Sequence, residues 1–131
     1  MILFNGSSFT DERGTVRFVN TFDLKKVVRM YCIEPNTSMI RAWQGHKHET
    51  KWFYVAKGRF LVKTIQMENL KNITQIILSD QESKVLEIPG GYFNGFQALE
   101  ESSVMMVFSD FTLDESKNDD CRLGLEEIQW Q

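Results

Sequence analysis

Cysteine and histidine are both scarce in this 131-residue chain, with two of each. Cys32 and Cys121 are too few and too far apart for a disulfide framework or a CxxC metal site. A reducing compartment is therefore expected, and Cys32 reads as a buried thiol. Positive charge is not in surplus: the formal net charge is -3, and the lysines and arginines are spread along the chain. That balance argues against nucleic acid as a partner, although a few arginines converging on a pocket can hold one small anion at any net charge. No apolar run approaches the ~20 residues of a membrane span, and residues 1–14 have neither the charged start nor the apolar length of a signal peptide. A soluble, cytoplasmic protein with no membrane partner is expected. Repeats, low-complexity tracts and linkers are also lacking.

What the chain does have is short segments rich in Val, Ile, Phe, Tyr, Met and Thr, separated by turn residues. Strands are predicted over 15–19, 26–33, 39–43, 52–56, 59–67, 73–78, 84–88, 92–99 and 103–109. The punctuation is Asp11-Glu12-Arg13-Gly14, Glu34-Pro35-Asn36, Lys57-Gly58, Glu68-Asn69 and Pro89-Gly90-Gly91, residue types that supply turn dihedrals or turn hydrogen bonds. Strands at this spacing predict an all-β sandwich or barrel, and a jelly roll closes its edges better than an open sheet. With 42% hydrophobic residues, one domain spanning 1–131 is expected. Within it, 1–111 would form the β structure and 112–131 a C-terminal tail that crosses the surface and docks its end. The charged run 114–120 reads as a solvated turn, and Met105 and Met106 as core.

Both histidines fall in "RAWQGHKHETKWFYVAKG", residues 41–58. The spacing around them resembles that of a cupin jelly roll (double-stranded β-helix), which marks its pocket with HxH, three or four residues, Glu, six residues and Gly, then later PxGxxH. Counting back from Gly58 puts Lys51 at the Glu position, His46 at the second His and Gln44 at the first. The second motif falls on "PGGYFN", with Asn94 in place of its final His. An ammonium where a carboxylate should neutralise the cation, and two amides in place of imidazoles, make a poor metal site. No metal or other cofactor is expected. His48 shares a face with His46 if the strand runs through both, so the pair could chelate an adventitious ion; His48 otherwise reads as a solvated turn residue.

The chain resembles a metal-free cupin group, the dTDP-4-dehydrorhamnose 3,5-epimerases and the related dTDP-sugar 3,4-ketoisomerases. The resemblance rests on "RMYCI" (29–33), "IRAWQGHK" (40–47), "KWFYVAKG" (51–58), "IPGGYFNGFQAL" (88–99), "VMMVFSDF" (104–111) and "EEIQW" (126–130). It implies a nucleotide-sugar epimerase or ketoisomerase enolising a dTDP- or UDP-linked 4-keto-6-deoxy hexose for surface polysaccharide. It also implies a homodimer joined through N-terminal strands, a role that suits Ile2, Leu3 and Phe4. Carried over residue by residue, it assigns His46 as base, Lys51 to the carbonyl or enolate oxygen, Tyr31 as second acid and Arg41 to the diphosphate. Gln44, Asn94, Trp43 and Phe93 are candidates to face the sugar or nucleotide. The epimerases' usual base position is held by Gln44 and their tyrosine acid position by Met106, and neither side chain carries a proton at neutral pH. An alternative of a different class follows: a non-catalytic cupin that binds a sugar nucleotide or carbohydrate. Bland readings stand beside these roles, with His46 as a hydrogen-bonded structural residue, Lys51 as an edge-strand lysine, and Tyr31 and Trp43 as partly core.

Overall fold

A computed structural model describes residues 2–36 and 39–131; Met1, Thr37 and Ser38, which fall within the expected domain, lie outside the described residues. The chain order is β1 (Ile2–Asn5), β2 (Ser7–Asp11), β3 (Gly14–Phe18), β4 (Arg29–Ile33), β5 (Ile40–His46), β6 (Lys51–Lys57), β7 (Arg59–Gln66), β8 (Asn69–Ser79), β9 (Lys84–Ile88), β10 (Tyr92–Ala98), β11 (Val104–Ser109), α1 (Leu113–Asn118) and β12 (Asp120–Arg122). Two five-stranded antiparallel sheets face each other, ordered β1-β9-β6-β11-β4 and β12-β5-β10-β7-β8. The hairpin β2–β3 stands apart from them as a two-stranded sheet. This is the jelly roll.

The period-two alternation of each strand decides which side chains meet between the sheets. On β11, Met105 and Val107 point inward while Met106 and Phe108 are only half-buried on the outer face. Phe53 and Val55 of β6, Phe60 and Val62 of β7 and Phe96 of β10 complete the inner core, with Phe96 edge-on to both Phe53 and Phe60. Strands β6 and β7 are joined through Gly58, whose φ of +79° suits glycine. A Cβ there would also lie 2.1 Å from Ser103 Oγ.

A second core lies on the outer face of the β5-containing sheet. Trp43, Ile65, Phe93 and Trp130 cluster there, with Leu123 and Ile128 packed beside them. The tail crosses this face, where Trp130 stacks obliquely on Trp43 at 5.3 Å and lies under the Lys63 ammonium at 4.8 Å. Gly95 gives the room: a Cβ on it would come within 2.8 Å of the Trp130 ring. Trp43 Nε1 donates to Ile128 O at 2.8 Å, and Trp43 and Leu123 exchange backbone hydrogen bonds at 3.0 and 3.2 Å.

Three sequence expectations need correction. The run 114–120 is not a solvated turn: α1 is closed by a capping box between Thr112 and Glu115, and β12 follows it. Cys32 is exposed, because it alternates outward on edge strand β4 while Tyr31 and Ile33 pack against the core. Met106 faces outward as well, so the position assigned to the epimerases' tyrosine acid is not a position inside the jelly roll. Among the described residues, no helix is long and apolar enough to cross a membrane.

Candidate functional site

At one end of the jelly roll the sheets part around a cavity of about 550 Å³. Tyr31 comes from β4 and Lys51 from β6 on one side; Arg41 and Gln44 from β5, Asn94 from β10 and Arg122 from β12 come from the other. The register explains the grouping, since Gln44 lies opposite Asn94 on one flank and opposite Arg122 on the other. Asn94 and Phe96, two apart on β10, share its cavity face, and the register shift opposite them puts an extra residue on β5, so that Arg41 and Gln44, three apart, both line the cavity. Asn94 Nδ2 donates to the Gln44 carbonyl at 3.2 Å, fixing the strand pair there.

Lys51 is buried at 4% exposure even though it reaches the cavity wall. Its Nζ donates to Gln44 Oε1 at 3.3 Å and lies 5.9 Å from the Tyr31 ring centroid, with the Arg29 guanidinium 5.1 Å from the same ring. Gln44 Nε2 in turn donates to Asp120 Oδ1 at 3.4 Å, and Asp120 Oδ2 accepts from Arg122 Nε at 2.9 Å. Burial would raise the Asp120 pKa, but the hydrogen bonds from Arg122 and Gln44 outweigh it and hold the carboxyl below its usual range. Arg41 lies over the Phe96 ring at 5.9 Å. Three cations, Arg41, Lys51 and Arg122, thus line a cavity whose only lining carboxylate among the described residues is Glu34.

His46 does not line this cavity; it is 3% exposed and follows Gln44 by two residues on β5. Its Nδ1 sits 3.1 Å from the Asp119 carbonyl and 3.2 Å from Glu49 Oε1. Both neighbours are acceptors, so Nδ1 carries the proton of the neutral ring and Nε2 presents its lone pair. Nε2 is buried and has no hydrogen-bond partner among the described residues. Burial first, and the Lys51 charge second, push the His46 pKa below the ordinary imidazole value, against the opposing pull of Glu49 and Asp119.

Glu49, read past in the sequence, organises this region. Its fully buried carboxylate accepts from Arg29 Nη2 at 3.0 Å, Ser116 Oγ at 2.6 Å, Ser109 Oγ and His46 Nδ1. Asp119 is the second group missed: its carboxylate accepts from the backbone N–H groups of Lys47, His48 and Glu49 at 3.0, 2.9 and 2.8 Å. Burial would raise its pKa, but those donors and the His46 charge lower it overall. The only local signal was the sequence "HKHET", a carboxylate three residues after a histidine; the partners at 109, 116 and 119 are remote in the chain.

Of the candidate residues, Tyr31, Arg41, Gln44, Lys51 and Asn94 therefore meet around one cavity. Trp43 contributes to its wall, but the indole is committed to the outer cluster. Phe93 does not reach it: it lies opposite Gly45 and packs outward beneath the tail. Among the described residues, no group of three or more His, Cys, Asp or Glu side chains is placed to hold a metal ion.

No protein-family model matches the sequence, and no curated protein does. Solved structures do match in shape. A dTDP-4-dehydrorhamnose 3,5-epimerase from Elizabethkingia anophelis superposes with a TM-score of 0.79 at 17% identity, covering 98% of this chain and 80% of its own. A 3'-monoepimerase from Streptomyces bikiniensis in complex with dTDP-quinovose gives 0.82 at 9% identity, covering 95% and 70%. The sugar 3,4-ketoisomerase QdtA from Thermoanaerobacterium thermosaccharolyticum in complex with TDP gives 0.75 at 19% identity, covering 97% and 90%. The chain is thus a cupin jelly roll with the fold shared by the dTDP-sugar epimerases and ketoisomerases, the group its motifs resemble.

Proposed function

We propose that the cavity binds a nucleoside diphosphate-linked 4-keto-6-deoxy sugar and that the protein enolises it, as a dTDP-sugar epimerase or ketoisomerase serving surface polysaccharide synthesis. The observation that carries this reading is a neutral imidazole with its lone pair unpaired at Nε2, beside a lysine that lines the cavity. Entry of the sugar draws Lys51 Nζ from Gln44 Oε1 to the substrate carbonyl and uncovers Nε2. Nε2 then takes a proton from the carbon next to the carbonyl. The C–H electron pair becomes the enolate double bond, and the charge on oxygen is held by the Lys51 ammonium. Return of a proton to the opposite face of that carbon gives the epimer. Protonation of the neighbouring carbon, with loss of the hydroxyl proton, moves the carbonyl instead. Tyr31 is the candidate second acid, Arg41 binds the diphosphate, and Gln44, which cannot carry a proton, positions Lys51.

One observation favours a second reading, a binding cupin without turnover: His46 is closed off from the cavity. Solvent exchange separates the two. The wild type and His46→Asn are incubated with dTDP-4-keto-6-deoxyglucose in deuterated water, and C3 and C5 are followed by NMR. Deuterium entering with the wild type and not the variant supports enolisation with His46 as base. Binding without exchange in either protein leaves the binding cupin.

A further inference from the structure

The geometry points to Arg122, on the short C-terminal strand β12, as a second phosphate-gripping residue that works with Arg41 and selects diphosphate over monophosphate ligands. This rests on the reading of the cavity as a nucleotide-sugar site and adds a residue that the motif spacing did not touch.

The first support is charge. The chain as a whole carries -3, yet its cavity is lined by three cations against one carboxylate, Glu34. Even with Asp120 paired to Arg122, this local inversion suits an anionic ligand, and a planar guanidinium suits paired phosphate oxygens.

The second is placement. Arg122 lies opposite Gln44, whose side chain already holds Lys51, so Arg122 and Lys51 approach the same part of the cavity from different sheets. Its backbone is fixed before any ligand arrives. On one side Asp119 holds the loop at 47–49, and on the other Leu123 exchanges two backbone hydrogen bonds with Trp43. The platform is rigid, which lowers the ordering cost of binding.

The third is availability. The Arg122 side chain is 69% exposed, and its partner Asp120, i and i+2 on the same strand, is 30% exposed. An ion pair that open to water is weak and easily exchanged for phosphate. Asp120 therefore acts as a latch, holding the guanidinium and competing with the ligand for it. By contrast, Arg17 is held by the carbonyls of Val55, Ala56 and Asp80 and has no such freedom.

The test is isothermal titration of dTDP and of dTMP into the full chain and into Arg122→Ala, Arg122→Lys, Asp120→Asn and Arg41→Ala. Arg122→Ala is expected to weaken dTDP by about tenfold or more, the scale of a lost hydrogen bond to a charged group, while dTMP changes much less, so that selectivity between them collapses. Arg122→Lys restores part of the affinity. Asp120→Asn tightens dTDP by roughly twofold to fivefold, the worth of an exposed ion pair. Wild-type dTDP affinity in Arg122→Ala, with Arg41→Ala weakened, would overturn the assignment and leave the nucleotide-sugar reading intact. Equal weakening of dTDP and dTMP in Arg122→Ala would overturn the selectivity. Failure of the wild type to bind dTDP at all would sink the cavity reading itself, and this assignment with it.

Discussion

Glu49 offers the sharpest test of the site's architecture. Its carboxylate is fully buried, and each oxygen receives two donors: Oε1 from Ser116 and His46, Oε2 from Arg29 and Ser109. Glu49→Ala takes the buried carboxylate from Arg29, whose side chain is 20% exposed, and from Ser116, while His46 and Ser109 keep the carbonyls of Asp119 and Phe111. Removing one partner of such a pair costs about 3–5 kcal/mol, a large share of the roughly 5–15 kcal/mol that holds a domain together. At ~4 °C per kcal/mol for a chain of this size, the melting temperature should fall by about 12–20 °C. Glu49→Gln is milder, because its amide oxygen can still serve His46 and Ser116, and Ser109 can turn its hydroxyl to accept. Only Arg29 is left facing an N–H₂ group, at a cost of about 1.5–3 kcal/mol. Adding Arg29→Met to Glu49→Gln should then cost less than the sum of the single changes. Urea unfolding followed by tryptophan fluorescence reads the wild type, the three single variants and the double variant. Additive single changes, or a Glu49→Gln variant within about 0.5 kcal/mol of wild type, would refute the claim that this carboxylate anchors the region.

Other expectations follow from the same geometry. Because the folded-state pKa of His46 lies below its unfolded value, the unfolded chain binds the proton first as pH falls. This contribution is fully present above the unfolded pKa of about 6.5 and is lost as pH drops toward the folded one. A pH series of urea midpoints should therefore slope downward below about 6.5, and His46→Asn should flatten that slope. Lys51→Met removes a charge that disfavours the imidazolium, so the acid limb of the kcat/KM profile, where His46 must be neutral, should move to higher pH; an unmoved limb would remove His46 from the base role. Trp130→Ala deletes the ring that covers Trp43 and should cost about 3–5 kcal/mol, with a red shift of the emission maximum. The exposed Phe9 and Val16 on the β2–β3 hairpin, with Ile2 and Leu3 on edge strand β1, offer an apolar surface for the homodimer that the resemblance implies; a monomeric mass by light scattering at micromolar concentration would contradict it.

The jelly-roll strands from β3 to β11 were legible because β-branched and aromatic runs alternate with turn residues, and the tight turn at Gly58 announces itself. Strands β2 and β12 were not, since "NGSSFTD" reads as polar loop and three residues of "DCR" carry no periodicity, and a strand at Ile2, Leu3 and Phe4 was expected only through the resemblance. The tail's segment at 113–122 was misread because one of its charges, Asp119, holds the remote backbone groups at 47–49 while the others face water. In the site, the motif spacing named Gln44, Lys51 and Asn94 and the resemblance added Arg41 and Tyr31, and the structure places these five around one cavity. It could not show which way Phe93 faces. Strand β10 is buried on both sides, inner core and tail, so hydrophobicity alone does not tell its faces apart. Nor could it show that His46 sits behind the cavity wall, because that depends on Glu49 and Asp119 meeting across some 70 residues of chain.

The position of β12 carries a consequence for biogenesis. It forms the outermost strand beside β5, yet it follows every other strand in the chain. While the polypeptide is being made, all the remaining strands emerge before the one that shields β5. Until then, the edge of β5 and the face of Trp43 stay uncovered, an open template for pairing with another nascent chain. Chains stopped before residue 120 should therefore be caught by chaperones or aggregate, and the cavity wall at Arg122 would come into being only at the last step of folding.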